Sequence, residues 1–155
     1  MDVNIPRTNG ASEKEIIDAE LRLSCRLPRG YREFVSNHNG AKPSSNTFAV
    51  PGNESSVRRF VPIEHAASVR EAIDGFPKGG VPIAEDDCGN YVWLEPATGA
   101  VYFWDHELDE PGLLIADGFE EFVALLMPFD PSSIKLQPGQ VISVWIDPTF
   151  KPKFD

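Results

Sequence analysis

Apolar residues recur along this chain with two different periods, and the changes of period mark its elements. From residue 12 the period is helical. Ser12 and Glu15 have the spacing of a capping box, in which the hydroxyl accepts from the Glu15 N–H and the carboxylate reaches back to the Ser12 N–H. Ile16, Ile17, Ala19, Leu21 and Leu23 then form a broad apolar side, with Lys14, Asp18 and Arg22 stacked four apart on the other. A break at 25–27 leads to Pro28, whose missing N–H is harmless in a first turn. Tyr31, Phe34, Val35 and His38 follow at i, i+3, i+4 and i+7, and the helix stops at Gly40. His38 reads as a packing histidine rather than a ligand, since no second His or Cys is close in sequence. Residues 41–46 read as a polar loop, 47–50 as a short strand, 51–56 as a turn region and 57–61 as a second strand with Arg58 and Arg59 at its middle. A third helix is expected over 64–74, with Ala66, Val69, Ala72 and Ile73 inward.

Beyond residue 80 the period changes to two. The stretch VPIAEDDCGNYVWLEPATGAVYFWDHELDE, residues 81–110, opens with a strand over 81–84. It continues as two aromatic and branched runs, 91–95 and 100–104, around Pro96-Ala97-Thr98-Gly99. A proline-first, glycine-last connection of four residues suits a type I turn and a β-hairpin. The register that follows opposes Glu95 with Ala100, Leu94 with Val101, Trp93 with Tyr102, Val92 with Phe103 and Tyr91 with Trp104. Val92, Leu94, Val101 and Phe103 then share an apolar face, and Tyr91, Trp93, Tyr102 and Trp104 share an aromatic one. Antiparallel pairing also brings the loop before Tyr91 and the loop after Trp104 to one end. Glu85, Asp86, Asp87, Asp105, Glu107, Asp109 and Glu110 gather there.

A short strand is expected over 113–116. Asp117 and Glu120 repeat the capping-box spacing before Phe119, Phe122, Val123, Leu126 and Met127, the strongest amphipathic pattern in the chain, which Pro128 ends. The order of elements predicts an α+β fold: a mostly antiparallel sheet, a meander, with about four helices packed around it. No repeat, low-complexity run or linker divides the chain. Residues 1–155 read as one domain, with 1–11 a lead-in arm and 129–155 a C-terminal extension. In that extension 141–146 is a strand candidate, and Trp145, Phe150 and Phe154 read as a strap packed onto the domain.

Charge changes the picture of the acidic end. The 155 residues carry a formal net charge of −10. Residues 1–79 hold 11 Lys+Arg against 10 Asp+Glu, and residues 80–155 hold 3 against 14, so the halves carry +1 and −11. A field of that sign repels nucleic acid and anionic membranes and speeds encounter with a basic partner. Cys25 and Cys88 are far apart and outside any metal-ligand spacing, so both are expected as free thiols. No apolar run approaches the roughly 20 residues of a membrane helix, and the start lacks a signal peptide's basic and apolar regions. The expected location is the cytoplasm.

Candidate chemistry is sparse. The chain has no phosphate-binding glycine loop, H-E-x-x-H, G-x-S-x-G or C-x-x-C. Residues 85–90 lack the alternating oxygen ligands of a calcium loop and read as a turn. Asp105-His106-Glu107 holds acid and base groups, but neighbours on an extended segment point apart and no nucleophile is near. Neither catalysis, metal nor cofactor is expected. What remains is aromatic residues beside clustered carboxylates, an interface composition. Whether the aromatic face is open to a partner or covered by the chain's own helices or tail stays open.

Several of these pieces occur together in one order. An early helix, Leu27-Pro28-x-x-Tyr31-x-x-Phe34 with Asn39-Gly40, Val81-Pro82-Ile83-Ala84-Glu85-Asp86 with Gly89-Asn90, Val101-Tyr102-Phe103-Trp104-Asp105-His106-Glu107 and a closing Phe119-Glu120-Glu121-Phe122 helix resemble the SUKH superfamily. That superfamily includes the yeast Smi/Knr cell-wall regulators and many bacterial immunity proteins. The resemblance runs from about Ser12 to Met127. It implies an α+β domain without catalytic activity, whose bacterial members bind and neutralise a secreted polymorphic toxin, often a nuclease or deaminase. The partner expected is therefore a cognate toxin with a basic surface, with a non-catalytic adaptor role like that of the yeast proteins as the alternative. The contact residues expected are Glu85, Asp86, Asp87, Asp105, Glu107, Asp109 and Glu110, with Trp93 or Trp104 as an anchor, in a monomer or weak homodimer.

Overall fold

A computed structural model describes residues 4–151. Helix α1 (Glu13–Leu23) starts on the expected capping box, with both reciprocal bonds formed. Its packed side is narrower than expected. Ile17 and Leu21 are exposed, and the buried positions are Ile16, Ala19, Leu23 and Glu20. Glu20 takes a place on the packed side because it has partners: its carboxylate pairs with Arg32 at 2.6 Å and accepts the Leu27 N–H at 2.9 Å. Burial opposes its charge, but those two partners outweigh that and hold its carboxyl below the ordinary value.

Helix α2 (Arg29–His38) follows Pro28 and buries Tyr31 and Val35. His38 is the packing residue expected, stacked on Phe34 with its Nδ1 3.0 Å from the Pro6 carbonyl. The lead-in is fastened rather than loose. The Thr8 and Ala11 N–H groups donate to Asn37 and Val35, and the Ser44 N–H donates to Asn4.

Strand β1 (Thr47–Val50) lies where expected, but 51–56 is more than a turn. After Pro51-Gly52 the chain returns as β2 (Asn53–Ser56), antiparallel to β1. The strand expected over 57–61 shrinks to β3 (Arg59–Phe60), because its N–H groups are shared between neighbours. Val57 and Phe60 donate to Asn46 and Ala41, whereas Arg58 and Val61 donate to Glu85 and Ile83. Helix α3 (Ile63–Ala72) then packs on α1 and on β4 (Val81–Glu85).

The main sheet is a five-stranded antiparallel meander, β3 and β4 followed by β5 (Tyr91–Leu94), β6 (Val101–Trp104) and β7 (Leu113–Ala116). Helix α4 (Phe119–Leu125) closes the order, packed on α2 and β7. The second capping box does not form. Gly118 is the N-cap, and the Asp117 N–H is taken by Glu121 rather than arranged around Glu120. Met127 exchanges both backbone bonds with Thr47, which ties the end of α4 to the β1–β2 hairpin. Among the described residues, four α-helices and two antiparallel sheets make the α+β fold expected. Its centre is aromatic, with Phe48, Phe60, Phe119, Phe122 and Tyr31 buried and Tyr31 edge-on to Phe119 at 5.0 Å.

The expected strap is not what residues 129–151 form. After a single 3₁₀ turn at Pro131–Ser133 they are irregular, 141–146 is not a strand, and Trp145 and Phe150 are 82% and 66% exposed. Phe154 lies outside the described residues. Among the described residues no helix is long and apolar enough to cross a membrane.

Candidate functional site

The β5–β6 hairpin has the predicted register at every pair from Tyr91↔Trp104 to Leu94↔Val101. Its turn closes with the Glu95 N–H donating to the Ala100 carbonyl and the Gly99 N–H to Glu95. Gly99 sits at φ +81°, where only glycine is unstrained. That register carries loops 86–90 and 105–112 to one end, and side chains then join them. Asn90 Oδ1 accepts from the His106 N–H at 3.2 Å and lies 2.8 Å from its ring nitrogen. His106 is thus a clasp between loops.

The nine expected contact residues divide sharply. Asp86 is buried, and its carboxylate accepts the Cys88 and Asn90 N–H groups at 2.8 Å, the Asn90 amide at 2.9 Å and the Ser55 hydroxyl at 3.3 Å. It builds the loop instead of facing outward. Glu85 is half-buried and bound to Arg59 at 3.0 Å. Asp87 is exposed, with Arg58 at 3.7 Å. Asp105 is half-buried and accepts the Glu107 N–H. Glu107, Asp109 and Glu110 are exposed.

Trp93 and Trp104 are not exposed anchors. They are 7% and 4% exposed. Trp93 stacks on Tyr102 at 4.4 Å and donates its indole N–H to the Pro111 carbonyl, while Phe76 meets Tyr91 and Trp104 edge-on. The aromatic face is therefore covered, by the segment after α3 and by loop 105–112 rather than by helices or tail. Gly112 makes that cover possible. At φ +119°, a Cβ there would lie 2.8 Å from the Phe103 carbonyl oxygen and 2.9 Å from the indole nitrogen.

Beside the acidic loops lies a groove of about 700 Å³. One wall is the β1–β2 hairpin, through Val50 and residues 53–56, and the other is loops 86–90 and 105–112. Phe103, Leu108, Leu113, Phe129 and Ile134 give it apolar surface. Glu54, Asp86, Asp87, Asp105 and Glu110 supply carboxylates, and among the described residues no lysine, arginine or histidine lines it. Loop 105–112 separates this groove from a second hollow of about 560 Å³, to which Trp104, Glu107 and Asp109 belong. Glu85 and Trp93 line neither.

Sequence reasoning missed the opposite wall. Pro51-Gly52-Asn53 carried the signal of a tight turn, but the polar run Asn53-Glu54-Ser55-Ser56 showed no apolar alternation to mark a strand. Ser55 is joined to Asp86 across 31 positions of sequence, which no local pattern shows.

Comparison with known proteins fits this architecture. A model of the SMI1 / KNR4 family (SUKH-1) matches residues 10–125. The match takes in all four helices, both sheets and the acidic loops, and stops before the exposed tail. The SPbeta prophage-derived uncharacterized protein YokK of Bacillus subtilis (strain 168) is 26% identical over 143 residues, covering 75% of this chain and 74% of its own length.

Proposed function

The chain belongs to the SMI1 / KNR4 family (SUKH-1), and from that premise we propose that it is a non-catalytic immunity protein that occludes a cognate toxin with a basic surface. The observation that carries this reading is the groove. Carboxylates line it, no lysine, arginine or histidine among the described residues does, and its apolar surface gives a docked segment something to bury against. A prophage-derived relative fits a protein carried alongside the threat it answers. A nuclease or a deaminase acting on nucleic acid suits the chemistry, because such enzymes carry cationic clefts that an acidic blocker can fill.

The contact set proposed is Asp87, Asp105 and Glu110 of the groove with Glu107 and Asp109 on the other side of loop 105–112, and the groove's apolar residues in place of the covered tryptophans. Asp86 and Glu85 support the loops. The test is association with the toxin encoded by a neighbouring gene. Replacing Asp87, Glu107, Asp109 and Glu110 together by lysine should slow association by roughly tenfold or more at low salt, while thermal unfolding stays cooperative. Unchanged association kinetics would remove the acidic end from the interface. Binding to a cellular protein, with none to the toxin, would favour an adaptor role.

A further inference from the structure

The two edges of the main sheet are treated differently. β3 is two residues long and carries Arg59, paired with Glu85, and its flanking N–H groups at Val57 and Phe60 are taken by the 41–46 loop. That edge is short, charged and covered, three of the usual defences against strand addition. β7 is also short, at four residues, and is bulged opposite Val101 and Tyr102, but it is not charged and no strand covers it among the described residues. It reads Leu113-Leu114-Ile115-Ala116, without charge or proline, and Leu113 and Leu114 are 39% and 53% exposed. Among the described residues no further strand pairs with it.

The same chain carries an unpaired segment of matching character. Val141-Ile142-Ser143-Val144-Trp145-Ile146 is uncharged, free of proline and rich in branched and aromatic residues, the composition that adds to open edges. It is not packed on its own body, with Ile142, Val144, Trp145 and Ile146 at 96%, 71%, 82% and 71% exposure.

We propose that two copies of the chain associate by each donating its 141–146 segment to the open β7 edge of the other. The occupant is a second copy because the segment stands off its own body, and because a two-fold exchange uses each edge and each tail once and then closes. The tail lies outside the 10–125 family match, so this association is a property of this chain's own extension. It does not depend on the toxin-binding reading.

The experiment is sedimentation equilibrium of the full chain over about 1 to 100 μM, the range of moderate self-association. The expected result is a concentration-dependent dimer. Leu114→Lys and Trp145→Lys should each raise its dissociation constant by tenfold or more, and the two together little further, since both break one contact. Both side chains are exposed, so the melting of the monomer should not move. To distinguish the occupant, Leu114→Cys and Val144→Cys are placed on separate chains, each also carrying Cys88→Ser, and mixed with a short bifunctional thiol reagent. Cross-linking between the two chains supports the exchange. A monomer throughout the range, a dimer indifferent to both lysine variants, or cross-linking only when both cysteines sit on one chain would each overturn it.

Discussion

At the scale of residues, the acidic end contains two kinds of carboxylate that sequence cannot tell apart. Asp86 and Asp87 are adjacent and identical in type, yet Asp86 is satisfied by four donors and Asp87 faces solvent. Asp86→Ala should therefore cost about 1.5–3 kcal/mol of stability by stranding the Cys88 and Asn90 N–H groups. Asp87→Ala should change stability by less than about 0.5 kcal/mol, being a surface site. Urea denaturation of the two variants checks the contrast. Glu20 gives a second residue-scale expectation. Its folded carboxyl lies below its ordinary value of 4.5, so its contribution is complete above that value and is lost as pH falls through the depressed one. Glu20→Gln should destabilise by about 2 kcal/mol at neutral pH, where it breaks the pair with Arg32. The gap between the two proteins should narrow as pH is lowered below 4.5, which unfolding curves taken across that window would register.

At the scale of elements, what was legible follows from how local the signal is. The β5–β6 register was readable because a turn motif and ten alternating residues specify it together. The first capping box was readable for the same reason. The second was misplaced because Gly118 adopts the N-cap conformation and Glu121 reaches the Asp117 N–H first. β2 was invisible because it is polar on both faces and exists only through its pairing with β1. The cover over the aromatic face depends on loop 105–112 folding back. Gly112→Ala should therefore destabilise the protein, by about 1–3 kcal/mol, through strain at a positive φ and contact with the Phe103 carbonyl. The same change should loosen Trp93, seen as a red shift of tryptophan fluorescence before global unfolding. A variant with unchanged stability and spectrum would mean that this loop does not hold the cover.

At the scale of the whole molecule, charge asymmetry was the most legible property and the groove the least. Counting residues locates the acidity in the second half. It does not reveal that Arg58 and Arg59, at the rim of the first half, approach Asp87 and Glu85. Those pairs offset part of the charge at Asp87 and Glu85, whereas the Glu107, Asp109 and Glu110 side chains make no hydrogen bond or ion pair among the described residues. Steering by such exposed groups is screened over roughly 8 Å at physiological salt. Association of the unaltered protein with its partner should therefore slow as salt rises, and the fourfold lysine variant should lose that slope. Stopped-flow mixing at several salt concentrations measures both.

The division of labour within the acidic end has an evolutionary consequence. Asp86, Asn90 and His106 hold the two loops together, and Gly112 and Trp93 seat one of them. The outward carboxylates bear none of that burden, so they can be exchanged one at a time without unfolding the frame beneath. On the proposed interface, a lineage could then change its recognised partner through a few surface substitutions while the same scaffold persists, each step passing through a folded intermediate.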